Sequence, residues 1–204
     1  MTIRKGEAWG GPGTLPAEGV VVRADAEARA VVEAARAADR PVPPLGLLGG
    51  DLCQTLGGLG DEARLRSPDA MRFPVDVGRV ELPGGRRHWF VAHAVVRRRG
   101  WLGRAVAVMN AQWLGDWDLG PRAHPGDARL DVTDGRVPLG DLWQARARVR
   151  TGTHLPHPGL KTSRVGRLEL ALARPETLWL DGQRVARVRQ LVIEVEPDAL
   201  DVVI

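Results

Sequence analysis

Residues 167–204, RLELALARPETLWLDGQRVARVRQLVIEVEPDALDVVI, contain the clearest fold signal in the sequence. The segments RLELALA, TLWL, RVARV and LVIEVE are short and rich in branched and aromatic residues, which is typical of β-strands. Asp181-Gly182-Gln183 separates two of them, and an Asp-Gly pair at such a place is typical of a tight hairpin turn. The C-terminal part of the chain is therefore predicted to be an antiparallel sheet.

The strand pattern continues toward the N-terminus. VDVGRVEL (residues 75–82), HWFVAHAVV (88–96), RAVAVMNA (104–111) and LDV (130–132) are each predicted to form a strand. About eight short strands at close spacing favour a sandwich or a curled antiparallel sheet. Residues 139–150 are predicted to be helical, with acidic and basic residues placed to suit the helix dipole.

The first 60 residues have a different pattern. Ala26 to Asp39 is rich in Ala, Val, Glu and Arg and predicts a helix, with Asp25 as its cap and its apolar face at Val31, Ala34, Ala35 and Ala38. A glycine-punctuated loop follows, with a short helix predicted from Asp51 to Leu56. The predicted fold class is α+β, mostly β. Residues 1–60 are expected to form a short α/β stub and residues 61–204 an antiparallel β-sandwich domain.

Composition excludes several classes of protein. With 44% hydrophobic and 26% charged residues in 204, the chain has the composition of a folded protein rather than a disordered one. Cys53 is the only cysteine, which excludes an internal disulfide framework and a cysteine-based zinc cluster. No apolar run reaches the ~18–20 residues that span a bilayer, and no export signal is visible, so a cytoplasmic location is expected.

The net charge of +4 is weak evidence for a nucleic-acid partner. Lys5 and Lys161 are the only lysines, and the excess of arginine, glycine and alanine is typical of a GC-rich coding sequence. Arg97, Arg98, Arg99 and Arg104 surround Trp101, a combination that suits anionic headgroups or phosphates but equally forms solvated hairpin tips. Binding of nucleic acid through this hairpin is a third and weaker alternative, and no nucleic-acid partner is expected.

Two further patterns leave alternatives open. The loop LGGDL (residues 48–52) places backbone N–H groups before a short helix, which suits an anion; the other interpretation is a tight connection with Asp51 as the helix cap. His154 and His157 flank a Leu-Pro pair and would need a third ligand such as His124 to hold a metal; the other interpretation is a surface loop. His88 and His93 would face opposite sides of one regular strand.

Residues 110–132, NAQWLGDWDLGPRAHPGDARLDV, resemble the central motif of the diacylglycerol kinase family of lipid kinases, which includes bacterial lipid kinases. That motif runs Asn, a glycine-containing stretch, then Pro-x-Ala-x-x-Asp-Asp-Gly-x-Leu-Asp-Val. Gly126 and Ala128 stand where the motif has its first Asp and its Gly, so the acidic pair is halved. The matching residues are Pro121, Ala123, Asp127, Leu130, Asp131 and Val132.

Two flanking segments support the same resemblance in the expected order. PLGLLGGDLCQTLGG (residues 44–58) is similar to the family loop Pro-Leu-Gly-Thr-x-Asn-Asp-x-Ala-x-x-Leu-Gly, with Asp51 at the Asp position and Gly50 in place of the Asn. WLDGQRV (179–185) is similar to the Val-Asp-Gly-Glu hairpin. The resemblance covers roughly residues 43–204 and implies the β-rich second domain of a lipid kinase.

The departures from the family bear on activity. The family binds ATP through a Gly-Gly-Asp-Gly-Thr loop, which this sequence lacks. In the family, the Glu of the hairpin is the residue held to act as general base. Gln183 stands at that position here, and an amide does not accept a proton near neutral pH. No catalytic residue is expected, and no metal site, with Asp127 as the one weak candidate. The expected ligand cleft consists of Gly49, Gly50, Asp51, Asp127, Asp131, Asp181 and Gln183.

The resemblance and its departures give two hypotheses. The first is a non-catalytic relative of the lipid kinases, a binding or regulatory module for a lipid or other amphiphile, with no cofactor. The alternative is a lipid kinase that uses ATP and Mg with a nucleotide-binding domain from another chain. The expected partners are a lipid, a second copy of the chain and, without a transmembrane segment, the surface of a membrane.

Overall fold

The structure is a computed structural model that describes residues 8–98, 101, 103–136 and 159–204. Strands dominate these residues, as predicted. The strands are Gly11–Pro12 (β1), Val20–Val22 (β2), Leu45–Leu47 (β3), Met71–Glu81 (β4), Arg87–Phe90 (β5), His93–Arg97 (β6), Arg104–Met109 (β7), Trp113–Leu114 (β8), Trp117–Asp118 (β9), Leu130–Arg136 (β10), Leu160–Val165 (β11), Arg167–Leu180 (β12) and Gln183–Val203 (β13). The helices are Asp25–Ala37 (α1) and Asp51–Thr55 (α2), with a 3-10 turn at Arg64–Arg66.

Eleven of the strands in the described residues form one sheet. Its main path runs β1-β4-β13-β12-β6-β7-β10-β11, and every neighbouring pair on that path is antiparallel. β5 pairs with β4, while β2, β3 and the end of β13 form parallel pairs. β8 and β9 form a separate small hairpin. The predicted fold class, mostly β and antiparallel with a short α/β portion, is confirmed.

The predicted Asp-Gly hairpin is confirmed. Asp181 and Gly182 have positive φ angles of 47° and 77°, and Leu180 pairs with Gln183 across the turn. Positive φ at both central residues is the geometry that Asp-Gly accommodates best. The turn therefore joins β12 to β13 and places the Asp181 side chain at the end of the hairpin.

The prediction of several short strands on either side of this turn is wrong. β12 is one strand with a bulge between Ala171 and Glu176, and β13 is one strand with a bulge between Glu196 and Leu200. Pro175 and Pro197 lie within the two bulges. Proline has no backbone N–H to donate, so it is accommodated at a bulge without ending the strand.

The predicted first helix is present, but its cap and its buried face differ. The N-cap is Ala24, which has extended backbone and no side-chain hydrogen bond, and Asp25 is the first helical residue. The buried residues are Asp25, Ala28, Arg29, Val32 and Ala35. Of the predicted apolar face only Ala35 is buried. Because alanine occurs on several sides of this helix, the apolar pattern does not determine which side is buried. The contacts of Asp25 and Arg29, described below, determine it instead.

Two large buried clusters hold the fold together. One fills the curled antiparallel sheet and includes Phe90, Leu130, Leu178, Leu180 and Ile193. The other packs α1, α2 and β3 against β4 and the end of β13, so it contains residues from both sides of position 60. The division of the chain at residue 60 stays a prediction. The predicted helix at 139–150 and the histidines at 154 and 157 lie outside the described residues.

Within the described ranges, no helix is long and apolar enough to cross a membrane.

Candidate functional site

The turn residue Asp181 anchors the centre of the site. Its carboxylate accepts three backbone hydrogen bonds, from the N–H groups of Val91 (3.0 Å), Ala92 (2.9 Å) and His93 (3.1 Å). The Asp181 N–H in turn donates to the carbonyl of His93 at 3.0 Å. Asp181 is buried, so these bonds satisfy amide groups that water does not reach.

This contact explains why the predicted strand HWFVAHAVV is interrupted. Val91 and Ala92 separate β5 from β6, and their N–H groups bond to Asp181 instead of a neighbouring strand. The carbonyl of Ala92 accepts the N–H groups of Asn110 and Ala111, and the Asn110 amide donates to the carbonyl of Val91. A side chain 90 positions away along the sequence thus causes the break.

His93 and Asp51 form the second part of the site. His93 Nε2 lies 2.8 Å from Asp51 Oδ2, and Asp51 Oδ1 accepts the N–H of Gly115 at 2.8 Å. Thr55 Oγ1 accepts the N–H of Gln112 at 3.0 Å. Both contacts tie α2 to the segment that carries the β8–β9 hairpin. Sequence reasoning considered His93 only beside His88, which instead lies near Glu33.

Asp25 occupies the amide groups of the glycine-rich loop. Its carboxylate accepts the N–H groups of Asp51 (2.6 Å) and Leu52 (3.1 Å) from the start of α2. Gly50 has a φ of 94°, and a Cβ there would lie 2.6 Å from Asp25 Oδ1. Neither sequence interpretation of this loop is correct as stated, because an internal carboxylate rather than Asp51 caps the helix and takes the amides offered to an anion.

The buried residues Asp25, His93 and Asp181 and the half-buried Asp51 are called the central cluster below. Burial, together with the charge of Asp181, raises the pKa of Asp25 to about 7, although the two amide bonds from α2 oppose the change. Burial also raises the pKa of Asp181. For His93 burial lowers the pKa, but the hydrogen bond that its ring donates to Asp51 and the charges of the surrounding carboxylates outweigh this effect, so the net direction is upward.

Gln183 lies at the edge of the central cluster. Its amide oxygen accepts a hydrogen bond from Arg29 at 2.5 Å, across 154 positions of sequence. Arg29 is only 7% exposed and sits on α1, four residues after Asp25, while Gln183 itself is exposed. The guanidinium therefore holds the side chain at the position where the resemblance expects a base.

The predicted cleft residues Asp127 and Asp131 bond to arginines. Arg164 contacts the Asp127 carboxylate, and its Nε lies 3.4 Å from Asp131 Oδ2. Arg122 lies 3.7 Å from Asp131 Oδ1. A guanidinium thus already neutralises Asp127, which was the one weak candidate for a metal. Among the described residues, no group of three or more His, Cys, Asp or Glu is arranged to hold a metal ion.

Of the two altered residues of the central motif, Gly126 has a structural reason and Ala128 has none. A Cβ on Gly126 would lie 2.2 Å from Trp9 Nε1, because the Trp9 indole packs over this position and donates to the carbonyl of Pro74. The Trp9 ring also packs against the His124 ring in a tilted arrangement, with 4.4 Å between the ring centroids. Ala128 has a φ of 56°, a conformation for which glycine is better suited.

Asp76 holds the turn at residues 124–131, which contains Gly126 and Ala128. Sequence reasoning missed this residue. It is fully buried, and its carboxylate accepts the N–H groups of Ala128 (2.7 Å) and Asp198 (3.0 Å). Burial raises its pKa to about 6, with the nearby Asp127 adding to the shift and the Ala128 amide opposing it. Asp76 falls inside the strand VDVGRVEL, between Val75 and Val77. A carboxylate between two apolar strand residues was the available sequence signal for a buried functional or structural group.

The structure brings together four of the predicted cleft positions, with Gly50, Asp51 and Asp181 in or against the central cluster and Gln183 at its edge. Gly49 precedes them and packs against the backbone of Arg23. Asp127 and Asp131 bond to Arg164 and Arg122 instead.

In the Arg-rich hairpin, the guanidinium of Arg97 lies 4.9 Å from the ring centroids of both Trp101 and Trp179, and Arg99 lies outside the described residues.

Comparison with known proteins agrees with this architecture. Residues 79–204 match the model of the YegS C-terminal NAD kinase beta sandwich-like domain. A solved structure of a "putative diacylglycerol kinase" from Bacillus anthracis str. Sterne superimposes with a TM-score of 0.67 at 13% identity, covering 91% of this chain and 77% of that one. A crystal structure of a diacylglycerol kinase from the same organism gives a TM-score of 0.59 at 14% identity, covering 91% and 75%. No curated protein matches the sequence.

The fold is therefore that of the β-sandwich domain of diacylglycerol-kinase-like proteins. Since the family model covers more than half of the sequence, the chain belongs to the YegS C-terminal domain family. The similarity to the solved structures also includes part of the N-terminal α/β portion, because it extends over 91% of the chain.

Proposed function

We propose that this protein is a non-catalytic member of the diacylglycerol-kinase-like family that holds a lipid or other amphiphile, as a binding or regulatory module. The observation that carries the proposal is Gln183. A carboxamide stands where the resemblance expects a proton acceptor, and its oxygen is hydrogen-bonded to the buried Arg29. An amide in this arrangement takes no proton from a lipid hydroxyl at neutral pH.

The other polar groups of the site support the same proposal. Both oxygens of Asp51 accept or share hydrogen bonds, one with His93 and one with Gly115. The amides at the start of α2 donate to Asp25. Residues around this loop thus satisfy one another and offer a triphosphate no free amide of Asp51 or Leu52. No ATP or metal cofactor is part of the proposal.

The solved relatives of this fold support a lipid as the ligand class, since they are named diacylglycerol kinases. Gln183 is exposed beside buried groups, so a hydroxyl-bearing head could reach its amide from solvent. We further propose contact with a membrane surface in the cytoplasm and assembly with a second copy of the chain. Nucleic acid is not among the proposed partners.

Two measurements on the full chain test the proposal. Sedimentation with vesicles containing diacylglycerol is expected to show binding that plain phosphatidylcholine vesicles do not. Incubation with radiolabelled ATP, magnesium and diacylglycerol is expected to yield no phosphatidic acid. Phosphatidic acid formed by the purified chain would overturn the non-catalytic assignment, while equal binding to both vesicle types would overturn the ligand class.

The alternative is an ATP-dependent lipid kinase whose nucleotide-binding domain comes from a second chain. The retained acids Asp51 and Asp181, at positions that match the family motifs, favour it. Co-expression with a chain that contains Gly-Gly-Asp-Gly-Thr would then produce phosphorylated diacylglycerol, and Gln183→Glu would increase the yield. No product from either pair would exclude the alternative.

A further inference from the structure

A groove of about 410 Å³ lies beside β12, away from the Asp181 turn. It is lined by Arg104, Arg136, Leu172, Ala173, Arg174 and Glu176. None of these residues belongs to the central cluster or to the expected ligand cleft. The groove therefore needs its own explanation.

Strand lengths create this groove. β6 pairs with β12 only from Thr177 to Leu180, so the earlier part of β12 has no β6 neighbour. The bulge between Ala171 and Glu176 leaves the intervening residues of β12 unpaired with β13. Across the gap, Arg104 begins β7 and faces Arg136 at the end of β10. The start of β7, the end of β10 and the bulge of β12 thus surround one space, and each of them carries an arginine.

The arginines that line the groove are held in different ways. Arg104 makes two hydrogen bonds to Asp134, at 2.8 and 2.7 Å, and a third to the carbonyl of Ala171 at 3.4 Å. Arg174 donates from Nε to Glu176 at 3.0 Å, which leaves its two terminal nitrogens for other partners. Arg136 is exposed, and its side chain makes no hydrogen bond with any residue in the described ranges. Arg136 and Arg174 can therefore donate to a ligand without breaking an existing contact.

Two more arginines add positive charge at the same bulge. Arg189 donates to the carbonyl of Ala173 at 3.3 Å, and Arg187 donates to the carbonyl of Pro175 at 3.1 Å. The five arginines around the bulge outnumber the two acids that pair with them, Asp134 and Glu176. The local potential is consequently positive and favours an anion.

We propose that this groove binds a phosphate group. Guanidinium groups donate two parallel hydrogen bonds to phosphate oxygens, and Arg136 and Arg174 have the nitrogens to do so. Leu172 and Ala173 supply an apolar wall for the carbon part of a phosphate ester. The phosphate belongs either to a small soluble compound or to a phospholipid headgroup. This site is independent of the proposed function, since it uses other residues.

The test compares two double variants that lose the same charge. Arg136→Gln/Arg174→Gln removes the two available guanidinium groups, and Arg40→Gln/Arg86→Gln removes two exposed arginines from elsewhere on the surface. Calorimetry with inorganic pyrophosphate measures binding of a soluble phosphate compound. Sedimentation with phosphatidylcholine vesicles, with and without phosphatidic acid, measures binding of a phospholipid headgroup. We expect the groove variant to bind the recognised probe roughly tenfold more weakly, and the control variant to bind as the unmodified chain does.

Each result is decisive. Binding of pyrophosphate that the groove variant loses assigns a soluble phosphate compound, and binding of acidic vesicles alone assigns a phospholipid. An equal loss in both double variants indicates general charge attraction and overturns the site. Absence of binding to both probes in the unmodified chain overturns it as well.

Discussion

The central cluster and the turn at residues 124–131 both contain family motif residues, but they retain them differently. In the central cluster Asp51 and Asp181 are kept: the Asp181 carboxylate accepts three backbone amides, and the Asp51 carboxylate bonds to the Gly115 amide and to His93. In the turn Gly126 and Ala128 replace motif residues, the Trp9 ring occupies the space beside Gly126, and Arg164 neutralises the retained Asp127. The comparison teaches that a motif residue can be kept because the fold needs its hydrogen bonds, whether or not chemistry continues.

The largest effect is expected from Asp181→Ala, if retention in the central cluster is structural. The change leaves three buried N–H groups without an acceptor and puts alanine at a positive φ. We expect the free energy of unfolding to fall by about 4 kcal/mol, measured by urea denaturation. Asp181→Asn keeps one acceptor oxygen and tolerates this φ, so its loss is expected to be less than half as large. Equal losses from the two variants would contradict the assigned role of the carboxylate.

The second prediction concerns the packing that replaces the first acidic residue of the turn. Gly126→Ala places a methyl group against the Trp9 indole, and overpacking of this kind costs about 1–3 kcal/mol of unfolding free energy. In a Trp9→Ala background the same change is expected to cost almost nothing, because the ring is gone. Thermal or urea unfolding of the four proteins in this cycle measures the coupling. A cost that is independent of Trp9 would show that something else excludes a side chain there.

Local contacts explain what could be predicted of the fold. The Asp-Gly turn, α1, α2 and the main strands follow from neighbouring residues, and each is present. The break at Val91-Ala92 depends on Asp181, 90 positions away, and the inward face of α1 depends on contacts such as that of Arg29 with Gln183, 154 positions away. No periodicity within the segment itself contains that information.

The same distinction applies to the candidate site. Motif spacing predicted Asp51, Asp181 and Gln183, because the resemblance preserves their order along the chain. His93, Asp25 and Asp76 were missed as site residues, since each acts through a backbone or side-chain partner that only the folded chain brings close. Trp9 lies far from this turn along the chain, so its contact with Gly126 could not be expected from sequence.

The third prediction uses pH to distinguish the two regions. The pKa of Asp25 is 3.8 in an ordinary setting and about 7 in the folded chain, so the folded chain holds a proton that the unfolded chain releases between these values. The free energy of unfolding therefore falls as the pH rises from about 4 to about 7. His93, with its raised pKa, contributes stability below pH 6.5 that is lost at higher pH, and Asp76 adds a smaller fall up to about pH 6.

Asp25→Asn removes one part of this pH dependence. We expect the fall in unfolding free energy between pH 4 and pH 7 to shrink by on the order of 1–2 kcal/mol, with the variant gaining relative to the unmodified chain as the pH rises. Asp39→Asn, at an exposed position beyond α1, is the control and should leave the profile unchanged. A profile as steep in Asp25→Asn as in the unmodified chain would remove Asp25 from the explanation.

The smallest effect is expected where the turn has lost the glycine of the family motif. Ala128 adopts a φ of 56°, where its Cβ crowds the backbone, while its N–H is held by Asp76. Ala128→Gly relieves that crowding, and after the greater freedom of glycine in the unfolded chain is subtracted we expect a net gain of about 0.5–1 kcal/mol. Ala123→Gly, just before this turn and without a positive φ, should lose stability. A loss at both positions would mean that Asp76 holds this turn without strain, and the altered motif would then carry no energetic penalty.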